Sequence, residues 1–160
     1  MSYLSPNSFH WRINVKLPKD RTRPGTLVVL DPADMRIVYA CTCLGKADGN
    51  KARAKNNIER DTTRPWGDFP LGKYQLSEIK FFAQYADGFG VGWLPIEGAN
   101  GDAEKALKNG RTGLAVHSGR GNDRLVPTYG CLRLFDRDFE AISAILEGDA
   151  VEVFAAEADY

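Results

Sequence analysis

Cysteine is scarce in this chain of 160 residues: there are three, an odd number. A small fold stapled by disulfides needs a denser, even set, and a chain of this length buries enough surface to manage without one. Histidine is scarcer, with only His10 and His117, so a zinc site has too few ligands to draw on and no metal is expected. An excess of one charge is also lacking. Twenty-one Lys plus Arg balance 21 Asp plus Glu, which removes the overall attraction to nucleic acid that a basic protein has. No apolar run approaches the roughly 18 residues of a spanning helix, and the start Met1-Ser2-Tyr3-Leu4-Ser5-Pro6 lacks the basic-then-apolar order of a signal peptide. The expectation is a single domain over residues 1–160, its core at about 11–155, with no cofactor, no nucleic-acid partner and no membrane insertion.

What the chain does contain is strand pattern. Trp11 to Val15, Thr26-Leu27-Val28-Val29-Leu30 and Arg36 to Cys43 read as strands around a polar turn at Asp31-Pro32-Ala33-Asp34. Alternation puts Cys41 and Cys43 on one face as small core residues. From Gly45 to Thr63 five basic residues sit among Gly, Asn and Asp with little periodicity, so this stretch is expected to be a long surface loop, either a binding loop for an anionic ligand or a solvated insertion. Tyr74 to Phe82 feeds another strand pair, and Ala86-Asp87-Gly88-Phe89-Gly90 has hairpin chemistry between 81–85 and 91–96. Two short helices are expected. Asp102 caps one that stops at Gly110, and Asp136 caps another whose Phe139, Ile142, Ile145 and Leu146 form an apolar stripe before Gly148. Ala150 to Phe154 reads as a closing strand. The aromatics Trp66, Trp93, Phe81 and Phe82 could line the cleft, although aromatics in strand-rich segments are more often core packing, and they are left unassigned; His10 is read as a solvated tail residue.

The chemistry concentrates in two short segments. Leu114-Ala115-Val116 ends at His117 and runs into the turn Ser118-Gly119-Arg120-Gly121-Asn122, where a histidine is placed to face a cleft. Fourteen positions after His117, Thr128-Tyr129-Gly130-Cys131-Leu132-Arg133-Leu134 carries a single cysteine behind a glycine. Covalent acyl transfer needs such a pair: the thiolate attacks, and the imidazole takes the thiol proton and later delivers it to the leaving amine. Gly130 lets the backbone approach a substrate, and the N–H groups at Gly130 and Cys131 are placed to bind an oxyanion. The bland alternative is a core cysteine and a capped histidine.

Ala115-Val116-His117-Ser118-Gly119 followed by Thr128-Tyr129-Gly130-Cys131-Leu132-Arg133-Leu134 resembles the signature of the L,D-transpeptidase (YkuD-like) family. Asp68-Phe69-Pro70-Leu71-Gly72-Lys73-Tyr74 is similar to an upstream element of that family, and Gly148-Asp149-Ala150-Val151-Glu152-Val153 to its ending. Tyr129 stands where the family has a histidine, Phe69 where it has a threonine, and the His-to-Cys interval is on the short side. The resemblance implies a mainly β, sandwich-like catalytic domain acting on peptidoglycan stem tetrapeptides. Cys131 would attack the carbonyl of the third-position diamino acid and release terminal D-alanine. The acyl group would then pass to water, a D-amino acid or a second stem peptide. By the same resemblance His117 is the base, the Ser118 carbonyl orients it, and Gly130 supplies an oxyanion N–H. Thr128, Tyr129 and Arg133 would contact substrate, with Arg133 also able to pair internally with an acid such as Asp136. The implied place of action is the periplasm or cell wall. Without a signal peptide the chain would be a trimmed form or a toxin injected by a secretion system, such as a type VI effector, with an immunity protein as partner.

Two other readings remain open on the residues. One is a noncatalytic stem-peptide binding module that keeps the cleft. The other is a papain-like amidase, which the order His117 before Cys131 disfavours.

Overall fold

The structure, a computed structural model, describes residues 11–76, 79–147 and 151–160. His10, the first six residues and Gly148-Asp149-Ala150, which carried expectations above, lie outside them.

The alternation of the N-terminal segments does what period two requires. Along β1 (Trp11–Leu17) it buries Ile13, Val15 and Leu17, and along β2 (Gly25–Asp31) it buries Leu27 and Val29. The turn into β3 (Arg36–Cys43) is held by its aspartates: Asp31 accepts from the Ala33 N–H at 2.9 Å and Asp34 from the Arg36 N–H at 3.0 Å. Cys41 and Cys43 share a face as expected; Cys43 is buried and Cys41 half-buried, and burial pushes the Cys41 thiol up to about 12.

The remaining strands are β4 (Gly72–Leu76), β5 (Lys80–Ala86), β6 (Gly90–Gly98), β7 (Ala115–His117), β8 (Leu132–Arg133) and β9 (Val151–Glu157). The order is β3-β2-β1-β9-β4-β6-β7-β8, with β5 also paired to β6. The mainly β expectation holds, in a mixed sheet: β9 runs parallel to β1 and antiparallel to β4, and β7 runs parallel to β8. Long β6 joins the halves, pairing with β4 near Gly98 and with β5 and β7 near Trp93. The path then returns on itself, because Leu44, just past β3, bridges Arg133 of β8.

Three helices are present among the described residues, one more than the sequence pattern suggested. The additional one, α1 (Gly49–Ala54), lies inside the stretch read as a loop, and Asp48 caps it by accepting from the Lys51 N–H at 3.0 Å. Six residues with only Ala52 buried leave no apolar period to read. The segment after α1 is pinned as well. Buried Asn57 donates to the Asp61 and Pro65 carbonyls and accepts from the Asp61 N–H.

Both expected caps need correction. In α2 (Gly101–Lys108) the N-cap is Asn100, and Asp102 lies in the first turn; the Asn100 side chain accepts from the Lys73 N–H instead. In α3 (Asp136–Leu146) the N-cap is Phe135. Asp136 is drawn away to two donors from elsewhere in the fold: the Gly119 N–H at 2.9 Å and the Tyr85 hydroxyl at 2.8 Å. Phe139, Ile142 and Leu146 are buried as the stripe implies, with Ile145 half-buried.

Candidate active site

The β7–β8 ladder builds the site. In its parallel register Val116 pairs with Leu132 and His117 with Arg133. Cys131 stands one residue ahead of Leu132, at the entry to β8, so the same register brings it alongside Ala115, whose backbone bonds its sulfur, two residues before His117. Two segments separated in sequence are brought together by one short ladder.

His117 is 1% exposed, beneath the Phe89 ring at 4.9 Å between centroids. A histidine facing an open cleft was expected; the β5–β6 hairpin tip covers it instead. Its Nδ1 lies 2.8 Å from the Ser118 carbonyl oxygen. A carbonyl only accepts, so Nδ1 carries the proton and Nε2 keeps the lone pair. The Arg133 guanidinium donates to the same carbonyl at 2.7 Å. Burial lowers the His117 pKa to about 4, so the ring is neutral at pH 7.

Cys131 is buried, and its thiol donates to the Gly113 carbonyl oxygen at 3.6 Å. Burial raises its pKa; a hydrogen bond from the Ala115 backbone and the positive charges of Arg111 and Arg133 act the other way. The resting state therefore holds a neutral thiol and a neutral imidazole, each bonded to a backbone carbonyl. A cavity of about 220 Å³ lies between β6 and α2, and its lining includes Arg111 and Gly113.

The residues around the cysteine divide by what they touch. Thr128 is buried; its hydroxyl accepts from the Gly130 N–H at 2.8 Å and donates to the Cys131 carbonyl at 2.8 Å, so it closes the turn and has no free group for substrate. The Gly130 N–H, expected to face an oxyanion, is committed to that bond. Arg133 is buried and pairs with no carboxylate among the described residues. It donates to the carbonyls of Val126 at 2.8 Å, Ser118 at 2.7 Å and Gly88 at 3.4 Å, and Asp136 is engaged elsewhere. Tyr129 is 54% exposed beside Trp66, with centroids 5.0 Å apart. Lys51 and Lys55 lie over these two rings at 5.7 and 5.5 Å. Of the aromatics left between cleft lining and core packing, none is fully buried: Phe81 is exposed, and Trp66, Phe82 and Trp93 are half-buried.

Sequence reasoning missed Arg111. Its guanidinium is buried and donates to four carbonyls, those of Thr62 at 2.6 Å, Asp68 at 2.9 Å, Gly67 at 2.7 Å and Gly130 at 3.1 Å. A lone arginine between Gly110 and Thr112 carries no periodic signal of burial. The one trace in the sequence is Gly130. At φ 120° its missing Cβ would stand 2.1 Å from Arg111 Nη2, so this glycine makes room for the guanidinium, where the sequence suggested room for a substrate.

No protein-family model and no curated protein matches the chain. Among solved structures it is similar to the helical cell shape determining protein Pgp2 from Campylobacter jejuni, with a TM-score of 0.61 at 16% identity over 94% of this chain and 49% of that one. A point mutant of the same protein superposes at TM-score 0.63 and 16% identity, over 99% and 50%. Bd1075 from Bdellovibrio bacteriovorus is similar at TM-score 0.56 and 13% identity, over 95% and 49%. The chain thus shares their fold and spans about half the length of each.

Proposed function

We propose that this protein is a cysteine acyl-transfer enzyme of the L,D-transpeptidase type, acting on peptidoglycan stem peptides. The observation that supports this reading is the β7–β8 register, which brings the strand ending in His117 against the one that Cys131 enters, while Ser118 holds the imidazole with Nε2 unprotonated. A fold shared with a cell shape determining protein supports a substrate in the cell wall.

In the proposed reaction the Cys131 thiol turns from Gly113 and gives its proton to His117 Nε2 as sulfur attacks the carbonyl of the third residue. The tetrahedral oxyanion accepts from the Cys131 N–H, since the Gly130 N–H is taken by Thr128. Collapse breaks the amide bond; His117 returns the proton to the departing D-alanine amine, leaving a thioester. Water, a D-amino acid or a second stem peptide then attacks that thioester with His117 as base, and the sulfur leaves as it regains its proton. Exposed Tyr129, with half-buried Trp66 packed beside it, is the surface at the nucleophile turn that meets the incoming peptide.

Mass spectrometry of diaminopimelate-type tetrapeptide muropeptides, incubated with and without a D-amino acid, tests the proposal. Loss of D-alanine, exchange or dimer formation that disappears in Cys131→Ala is expected and names the acceptor. Burial of both Cys131 and His117, and the thiol bond to Gly113, favour one competitor, a noncatalytic stem-peptide binder. No product change from a folded protein that still binds the muropeptide would establish that competitor.

A further inference from the structure

Arg111 is a buried cation that makes no direct ion pair among the described residues. The nearby Asp68 carboxylate is turned to the Ala47 N–H at 2.8 Å and to Arg60 at 3.4 Å. Carbonyl dipoles satisfy its donors but do not neutralise its charge, and a buried charge is costly until an opposite one is close. Around this guanidinium the ionisable groups are Tyr74, Asp68, Arg21 and Cys131, with Asp61 farther out, its carboxylate committed to the Thr63 N–H and hydroxyl at 2.9 Å. Those acting on Cys131 are Arg111 and Arg133, with His117 on the paired strand. Tyr74 is deeply buried, donates to the Pro70 carbonyl at 2.6 Å and stays neutral, its pKa raised by burial. Cys131 is the group beside Arg111 whose negative charge the proposed chemistry requires.

The bond to Gly130 adds direction. Gly130 C=O and Cys131 N–H belong to one planar peptide group and point opposite ways. Holding the oxygen at 3.1 Å from Arg111 Nη2 fixes where the Cys131 N–H points, and drawing charge from that oxygen strengthens the N–H as a donor. The same guanidinium ties the turn to the Thr62–Asp68 segment through three more carbonyls.

We infer that Arg111 is the positioning residue of the nucleophile: it seats the Gly130–Cys131 peptide group and supplies the buried positive charge that balances negative charge forming at sulfur. The inference rests on the reading of Cys131 as a nucleophile.

The test is the pH dependence of Cys131 alkylation by iodoacetamide, followed peptide by peptide by mass spectrometry, in the wild type, Arg111→Gln and Arg111→Lys, with near-UV circular dichroism to confirm folding. Loss of the charge in Arg111→Gln is expected to displace the profile upward by about one pH unit and slow alkylation at pH 7 about tenfold. Arg111→Lys keeps the charge, and its rate at pH 7 is expected to stay within about twofold of wild type. A wild-type profile in folded Arg111→Gln overturns the inference, as does an equal displacement in both variants, which would mark packing alone. Should Arg111→Gln fail to fold, Gly130→Ala takes its place: a Cβ 2.1 Å from Nη2 displaces the guanidinium, and an unmoved profile there overturns the inference too. Alkylation needs no stem peptide. Failure of the muropeptide assay in the same wild-type preparation would therefore count against the proposed function and leave this result standing.

Discussion

At the scale of single residues, the site is governed by burial more than by charge pairing. His117 illustrates the consequence for stability. Its folded pKa of about 4 lies below the ordinary 6.5, so the unfolded chain binds its proton first as pH falls. The stabilisation from burying the neutral ring is complete above pH 6.5 and is lost progressively as pH drops from 6.5 toward 4. At pH 5 the loss should be about 2 kcal/mol relative to pH 7. Urea unfolding at the two pH values should show that loss in the wild type and not in His117→Gln; equal pH dependence in both would remove His117 as the cause. Cys131 and His117 were legible in the sequence because each is rare in this chain and sits in a distinctive local context. Arg111 was not legible. Its burial comes from a close approach to Gly130, 19 positions away, and sequence spacing does not encode such a contact. Arg133 was legible as a candidate, but its partners are carbonyls of the chain and not the Asp136 carboxylate.

Among the elements, the β5–β6 hairpin and α1 change the view of access. The hairpin pattern around Ala86-Asp87-Gly88-Phe89-Gly90 announced a turn, but not that its tip folds back over His117. That return is set by two tertiary bonds, Arg120 N–H to the Asp87 carbonyl at 2.8 Å and the Tyr85 hydroxyl to Asp136 at 2.8 Å, and by the Phe89 ring against the imidazole. Removing the ring should hydrate His117. In Phe89→Ala the imidazole pKa, followed by NMR titration, should rise from about 4 toward 6.5, by about one unit or more; an unmoved titration would show that the hairpin does not shield it. The 45–63 stretch shows the opposite failure of reading. Its polar composition hid a helix too short for periodicity and an asparagine that works from inside. Asn57→Ala leaves the Asp61 N–H and the Pro65 carbonyl without this partner, while the Asp61 carbonyl keeps the Arg64 N–H at 3.2 Å, at a cost of about 1–3 kcal/mol. Chemical denaturation of that variant should register this cost, whereas a loss within about 0.5 kcal/mol would mean water takes over the bonds.

Across the whole molecule, the return of the sheet path on itself decides whether the site is a separable part. Strand alternation revealed most of the strands, since each half-buried face writes its period into the sequence. The order of those strands depends on pairings between distant segments, such as β9 between β1 and β4, and local pattern does not carry them. β6 pairs with both halves, and the Leu44–Arg133 bridge joins the ends of the path. Damage at the site should therefore be felt at the far end of the sheet. Leu132, fully buried beside the nucleophile, and Cys43, fully buried in β3, provide the two positions. Leu132→Ala should cost about 2–5 kcal/mol. In a cooperative molecule that whole loss appears in the protection of Cys43, measured as its rate of alkylation across a urea series. Cys43 protection that falls by the same amount as the global stability makes the site and the first sheet half one unit. Unchanged Cys43 protection would mean that β7 and β8 open while β1 to β3 stay folded, and the bridge at Leu44 would then be a contact without mechanical consequence.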